Sequence, residues 1–479
     1  MTPSDRVRED VTEGGSFRDP SGYVFQRDGR VFRAVDPACH DLLRGLERDG
    51  TLPRLIERGA VVGTRFVEDP DLRAELHAAH PGHEHFLEHD RVPFITFPYE
   101  WSVSMLADAG LHTLDLEEQL LDAGCALKDA TAYNVQFVRG RPVFIDLGSI
   151  ERPRRLDLWF ALGQFNRMFL FPLLLAADQG WDLRSYFLAN LQGRSVEEVA
   201  RGLSWSDRLR PRALLDVTLP LLLNRWAYGR TQVDRAFLER ENPDPRPQRA
   251  NLERLRRKVR ALAARQRPSG VWSDYARTCS YDAAADETKR RLVAGFLAAH
   301  RPARVLDLGC NTGEYTWLAC ENGAEVIAVD QDHDAVEALY RRLRGRPAPV
   351  TPMVLDITSP SPAIGHLNRE RASLLERLDV DCVLALALVH HLLISGNLSL
   401  RAICELLHRL TKDLLVLEFV PPEDPMFRRM LQFRVDLFAG VDAAALKGVF
   451  AERFSLLDEQ PIPGTARTLL FFRRRSPAP

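Results

Sequence analysis

Apolar and polar positions follow three different rhythms along the chain. In the first 150 residues short alternating stretches are mixed with helical ones. GYVFQRDGRVFRAV (22–35) reads as a hairpin turning at Asp28-Gly29, since such turns need positive φ. RVPFITFPY (91–99) reads as a strand. From Ser102, the apolar residues Val103, Leu106, Leu111, Leu114, Leu120 and Leu121 recur at helical spacing until Gly124 stops them. Residues 155–240 are mostly helical, with helices expected over 156–178, 183–191, 196–203 and 212–228. The breaker cluster Asn242-Pro243-Asp244-Pro245-Arg246-Pro247 ends this zone.

A basic helix follows, NLERLRRKVRALAARQR, with one narrow apolar stripe of Leu252, Leu255, Val259 and Leu262. Its arginines read as the solvated face of a linker. From about Ser269 to Arg475 strands and helices alternate. Apolar runs at 303–308, 325–329, 352–356, 380–388 and 414–420 are separated by helical segments, and RTLLFFRRR after Gly464 reads as a last hairpin strand. That alternation predicts a parallel sheet. The expected domains are 1–240, a Pro-rich and basic linker over 241–268, and 269–479.

Composition narrows the function classes. A chain of 479 residues is too long for one core. With 45% hydrophobic and 27% charged residues it has the balance of a soluble globular protein. A formal charge of -2 gives no electrostatic case for nucleic acid. None of the seven cysteines forms a CxxC pair, which supports neither a disulfide framework nor a zinc knuckle. The start, MTPSDRVREDV, has no apolar core of a signal peptide, and MFLFPLLLAA (168–177) is half the length needed to cross a bilayer. A cytoplasmic protein without a membrane span is expected.

ARVLDLGCNTGEYT (303–316) reads as a strand, a glycine turn and a helix start. Gly309 allows the sharp turn, and Gly313 lets backbone approach a ligand with no Cβ in the way. A dinucleotide would set its pyrophosphate on the helix N-terminus, where carboxylates are unwelcome. Here Asp307 precedes the turn and Glu314 opens the helix, so a ligand with cationic groups fits better. S-adenosylmethionine carries an ammonium and a sulfonium. AEVIAVDQD ends in Asp330, placed to accept from two ribose hydroxyls, and VLDIT brings Asp356 to the next strand end, facing an adenine amino group. DCVLALALVHHL ends in His390 and His391.

On these motifs the third zone resembles a class I S-adenosylmethionine-dependent methyltransferase. SGVWSDYARTCSYDAAADETKRRLVAGFL, LEFVPPEDPMF and KDATAYNVQFVRGRPVFID narrow the resemblance to the NoeA-like group of bacterial methyltransferases, across nearly the whole chain. The resemblance implies an α/β Rossmann-like domain with a seven-stranded, mostly parallel sheet. It also implies cofactor contacts from Asp307, Gly309, Cys310, Asn311 and Gly313 at the methionine end, and from Asp330, Gln331, Asp356 and Ile357 along the nucleoside. Methyl transfer from a sulfonium is an in-line displacement, helped by a base with a near-neutral pKa, and His390 and His391 are the candidates. Tyr275 and Tyr281 could line the pocket.

A second constellation lies upstream in LKDATAYNVQFVRGRPVFIDLGS (127–149). Asp129 and Asn134 stand five apart, and Asp146 follows in FIDLG, as the acid and amide of a kinase catalytic loop precede a metal-binding acid. The first half therefore resembles an aminoglycoside-phosphotransferase or protein-kinase fold, an α+β domain. That implies Asp129 as the catalytic acid and Asn134 and Asp146 as ligands of Mg-ATP. The departures are Leu127 in place of the loop histidine, no G-x-G-x-x-G, and no V-A-I-K lysine, whose position Arg33 in VFRAV could fill only with different geometry. The histidines at 77, 80, 83, 85 and 89 read as a solvated loop rather than a metal cluster. The expected function is methylation of a small-molecule or glycan acceptor, with the first half presenting substrate, regulating, or docking a protein partner. The alternative is a bifunctional phosphotransferase and methyltransferase.

Overall fold

A computed structural model of the chain describes residues 11–12, 14–16, 22–227, 240–265, 283–432 and 440–475. Two units form. One holds residues 1–138, 142–267 and 363–372; the other holds 139–141, 268–362 and 373–479.

The first unit begins with an antiparallel sheet in the order β1-β2-β3-β5-β4, made of Val11–Thr12, Gly22–Arg27, Arg30–Val35, His85–His89 (β5) and Thr64–Phe66 (β4). The β2–β3 hairpin turns at Asp28 (φ 51°) and Gly29 (φ 74°), the conformation that Asp-Gly favours. Its inner face, with Phe25 and Phe32, packs with Leu76 and Phe86. The strand expected over 91–99 does not form: the chain bends at 93–94 and enters a 3-10 turn at Pro98–Glu100, and β5 lies just before it, inside the histidine-rich segment. Helix α1 (Val103–Asp122) is capped by Ser102 Oγ, which accepts from Met105 N at 3.4 Å, and it ends before Gly124 (φ 67°).

The helix expected from 156 starts only at Leu162, and its turn at Asn166–Leu170 is a π-turn. Pro172 cannot donate to the Met168 carbonyl, and widening the preceding turn accommodates that loss. The basic helix α2 (Arg246–Ala263) is no linker: it belongs to the first unit and packs on α1. Leu252, Leu255 and Val259 are fully buried. Arg256, expected on a solvated face, is 6% exposed, and its Nε donates to Asp115 at 2.7 Å. A second guanidinium nitrogen of Arg256 donates to Glu118.

Four short strands, β6 (Ala126–Leu127), β7 (Val135–Val138), β8 (Arg141–Phe144) and β9 (Ile150–Glu151), pair as β6-β9 and β7-β8. In the second unit seven further strands, numbered β10 to β16 along the chain, order as β12-β11-β10-β13-β14-β16-β15. They are β10 (Arg304–Leu308), β11 (Glu325–Asp330), β12 (Val350–Val354), β13 (Cys382–Ala385), β14 (Leu414–Phe419), β15 (Phe454–Pro461) and β16 (Thr468–Arg474). The first five are parallel, whereas β16 runs antiparallel to both neighbours. All five apolar runs became these parallel strands; β14 is buried at every position. Helices follow the strands, among them α3 (Ala283–His300) before β10, α4 (Glu314–Glu321), α5 (His333–Gly345), α6 (Val389–Ile394) and α7 (Pro425–Leu431). Among the described residues no helix is long and apolar enough to cross a membrane.

Candidate active site

In the second unit the ends of β10 and β11 and the segments that follow β12 and β13 line a cavity of about 650 Å3. At the end of β10 the chain turns through Gly309 (φ 73°), and the N–H groups of Gly309 and Cys310 both donate to Val329 O, at 2.8 and 3.1 Å. Asn311 adopts φ 49°, which its short polar side chain tolerates, and its Oδ1 accepts from Thr312 N at 2.7 Å. Asn311 N donates to Asp330 Oδ2 at 2.8 Å, and Asp332 N donates to Asp330 Oδ1 at 2.8 Å. Asp330 is therefore the brace of the turn as well as a cavity residue. Burial raises its pKa against these two hydrogen bonds.

Asp307 is 2% exposed and accepts from Thr316 Oγ1 at 2.6 Å. Burial pushes its carboxyl up to about 6. Asp356 accepts from Thr358 N and Thr358 Oγ1 at 2.8 and 2.7 Å. Asp307, Gly309, Cys310, Asn311, Asp330, Gln331, Asp356 and Ile357 all line the cavity. Gly313 does not. Its φ of 89° opens α4, and a Cβ there would stand 2.5 Å from Leu339 Cδ1 on α5. It serves packing between helices rather than approach to a ligand.

The two histidines part company. His391 lines the cavity, while His390 is 1% exposed behind it, its ring stacked towards Phe427 with centroids 6.3 Å apart. Of the two candidates His391 faces the cavity, whereas His390 is buried against Phe427. Burial, with the Arg467 cation adding to it, lowers His391 to about 4, so its imidazole is neutral at pH 7 but a weaker base than the near-neutral one expected. Tyr275 and Tyr281 lie outside the described residues.

Sequence reasoning missed a buried chain of alternating charges beside the cavity. Lys289 Nζ, from α3, stands 2.7 Å from Glu418 Oε2 on β14. Arg467 Nη1 donates to Glu418 Oε1 at 3.2 Å, and its Nε donates to Asp424 Oδ2 at 2.7 Å. Asp424 also caps α7 through Met426 N. All four residues are at most 5% exposed, and Lys289 and Arg467 reach the cavity. No motif marks them, because each is neutralised by residues distant in sequence.

In the first unit Asn134 and Asp146 meet, while Asp129 is held by Gln164. Gln164 holds the loop, its Nε2 donating to Asp129 Oδ1 at 3.3 Å and its Oε1 accepting from Ala130 N at 2.6 Å. Asn134 Nδ2 donates to Asp146 Oδ2 at 3.2 Å, and Arg33 Nη2 reaches Asp146 Oδ1 at 2.5 Å. The histidine segment is not a solvated loop: it is a helix end, a turn and β5. His80 is buried against Phe25 with ring centroids 3.9 Å apart, and His85 stacks on His40 at 3.9 Å. Among the described residues no group of three or more His, Cys, Asp or Glu side chains could hold a metal.

No protein-family model matches the chain. Among solved structures it resembles the N-methyltransferase NodS from Bradyrhizobium japonicum WM9, 13% identical with a TM-score of 0.31, over 41% of this chain and 99% of that one. It also resembles magnesium protoporphyrin IX methyltransferase (ChlM) from Synechocystis PCC 6803 with bound SAH, 18% identical with a TM-score of 0.31, over 40% of this chain and 84% of that one. In sequence it is 36% identical over 462 residues to nodulation protein NoeA of Rhizobium meliloti (strain 1021), covering 96% of this chain and 95% of that protein. The chain belongs to the nodulation protein NoeA family.

Proposed function

We propose that the second unit is an S-adenosylmethionine-dependent methyltransferase acting on a small-molecule or glycan acceptor. The observation that carries this reading is the convergence of Asp307, Asp330 and Asp356, from three adjacent strand ends, on one cavity. A cavity with those acids suits a cationic nucleoside, and Asp330 keeps lone pairs for ribose hydroxyls after bracing the turn. S-adenosylmethionine supplies a methyl group on a sulfonium. Asp330 would hold the ribose, Asp356 the adenine edge, and Asp307 the cationic methionine end. His391, neutral and facing the cavity, would accept the proton of a hydroxyl or amine nucleophile as it is methylated. The NodS and ChlM likenesses point the same way.

For the first unit we propose a kinase-like scaffold. In support stand the β1-β2-β3-β5-β4 sheet, the helical half that follows it, and the contact of Asn134 with Asp146. Its part would be to present or select the acceptor. The test of the main reading is calorimetric titration of S-adenosylmethionine and S-adenosylhomocysteine into the intact protein. Saturable binding of both supports it; no heat with either overturns it.

A further inference from the structure

Mg-ATP, which a kinase-like unit implies, does not fit the residues gathered at Asp146. Both carboxylate oxygens are engaged from within the chain. Oδ1 takes Arg33 Nη2 at 2.5 Å, and Oδ2 takes Ser149 Oγ at 2.5 Å and Asn134 Nδ2 at 3.2 Å. Asn134 turns its amide nitrogen to Asp146 and also to Ser149 Oγ, at 3.1 Å, whereas a magnesium ion would need its oxygen. Arg33 is not a chance visitor. It is 5% exposed, and its backbone is paired on both sides of β3, opposite Val24 and opposite Leu87. A guanidinium fixed there supplies positive charge and directional donors to a carboxylate 113 positions away.

We infer that Arg33 takes the place of a divalent cation at Asp146, making the first unit a metal-independent scaffold whose sheet is tied to its loop cluster by this ion pair. The inference rests on the kinase-like reading of that unit. It adds that the Asp129, Asn134 and Asp146 constellation is kept for its architecture and not for phosphate transfer.

The experiment is scanning calorimetry of the intact protein, of Arg33→Met, of Asp146→Asn and of the double variant. Each is run with and without millimolar magnesium, and with magnesium plus a non-hydrolysable ATP analogue. The wild-type Tm should not respond to either addition. Arg33→Met should lower the transition of the first unit by roughly 5–15 °C, since it strands a largely buried carboxylate, and magnesium should recover part of that loss. Asp146→Asn should lower it as well. The double variant should lose less than the two single losses combined. Retained S-adenosylhomocysteine binding would show that the second unit stays folded in each variant.

A wild-type Tm raised by magnesium with the nucleotide analogue would overturn the inference while supporting the kinase-like reading. Additive losses in the double variant would overturn the ion pair itself. If Arg33→Met yields no folded protein, Arg33→Lys replaces it: a transition that stays insensitive to magnesium supports the inference, and a magnesium-dependent one overturns it.

Discussion

Replacing Asp330 by asparagine changes one atom and no volume, yet it reaches both functions of that side chain. The carboxylate now accepts Asn311 N and Asp332 N, one on each oxygen, both at 2.8 Å. Each oxygen keeps a second lone-pair direction for a ribose hydroxyl. An amide in its place turns two donor hydrogens towards one of those backbone N–H groups and has one accepting oxygen left. The remaining oxygen still accepts, so the ligand loses one hydrogen bond to a charged acceptor, worth about 1.5–3 kcal/mol. In affinity that is roughly tenfold to 150-fold weaker binding. The assay is calorimetric titration of S-adenosylhomocysteine into wild type and Asp330→Asn, with the Tm of each protein measured alongside. A variant with wild-type Tm and a Kd within about threefold of wild type would refute the assignment of Asp330 to the nucleoside.

Three further outcomes are expected. Burial raises Asp307 to about 6, so the anion that attracts a cationic ligand is lost as pH falls through that value; S-adenosylmethionine affinity should rise from pH 5 to pH 7, and a flat profile would count against Asp307. Gly313→Ala should lower the Tm of the second unit, because positive φ costs about 1–2 kcal/mol and the Cβ would meet Leu339 Cδ1 at 2.5 Å; adding Leu339→Ala would remove the clash and leave the backbone strain. Burial also raises Glu117, on α1, to about 8, although it accepts from Leu127 N at 2.7 Å. The folded state therefore holds a proton that the unfolded chain has released above its ordinary range, so stability falls as pH rises towards 8, by at most about 1.4 kcal/mol per pH unit. Glu117→Gln should flatten that dependence in thermal denaturation, and Glu117→Ala should destabilise by about 1–3 kcal/mol by orphaning Leu127 N.

The parallel sheet was legible in the sequence because strands buried on both faces read as unbroken apolar runs, and the Asp28-Gly29 hairpin because its turn needs those residue types. Strand β5 was hidden for the opposite reason. HFLEH looks polar, yet His85 is covered by His40 and His89 accepts or donates to Thr64 Oγ1 at 2.8 Å. Histidine hydropathy depends on such partners, which periodicity cannot supply. Helix α2 misled in the same way, since the acids that cover Arg256 lie about 140 positions upstream. In the site, the turn residues and strand-end acids were readable because topology fixes where strands end. Which histidine faces inward was not, because a single step along α6 decides it.

The Lys289, Glu418, Arg467 and Asp424 chain also has a bearing on how this family diverges. The four charges sum to zero, and each is nearly excluded from water. Any single replacement therefore passes through a protein with one uncompensated charge in its interior, at a cost of several kcal/mol. Only joint replacement of an acid and its base avoids that intermediate. The quartet should behave as one heritable unit: relatives keep all four or have exchanged a matched pair, while the exposed positions around it drift independently.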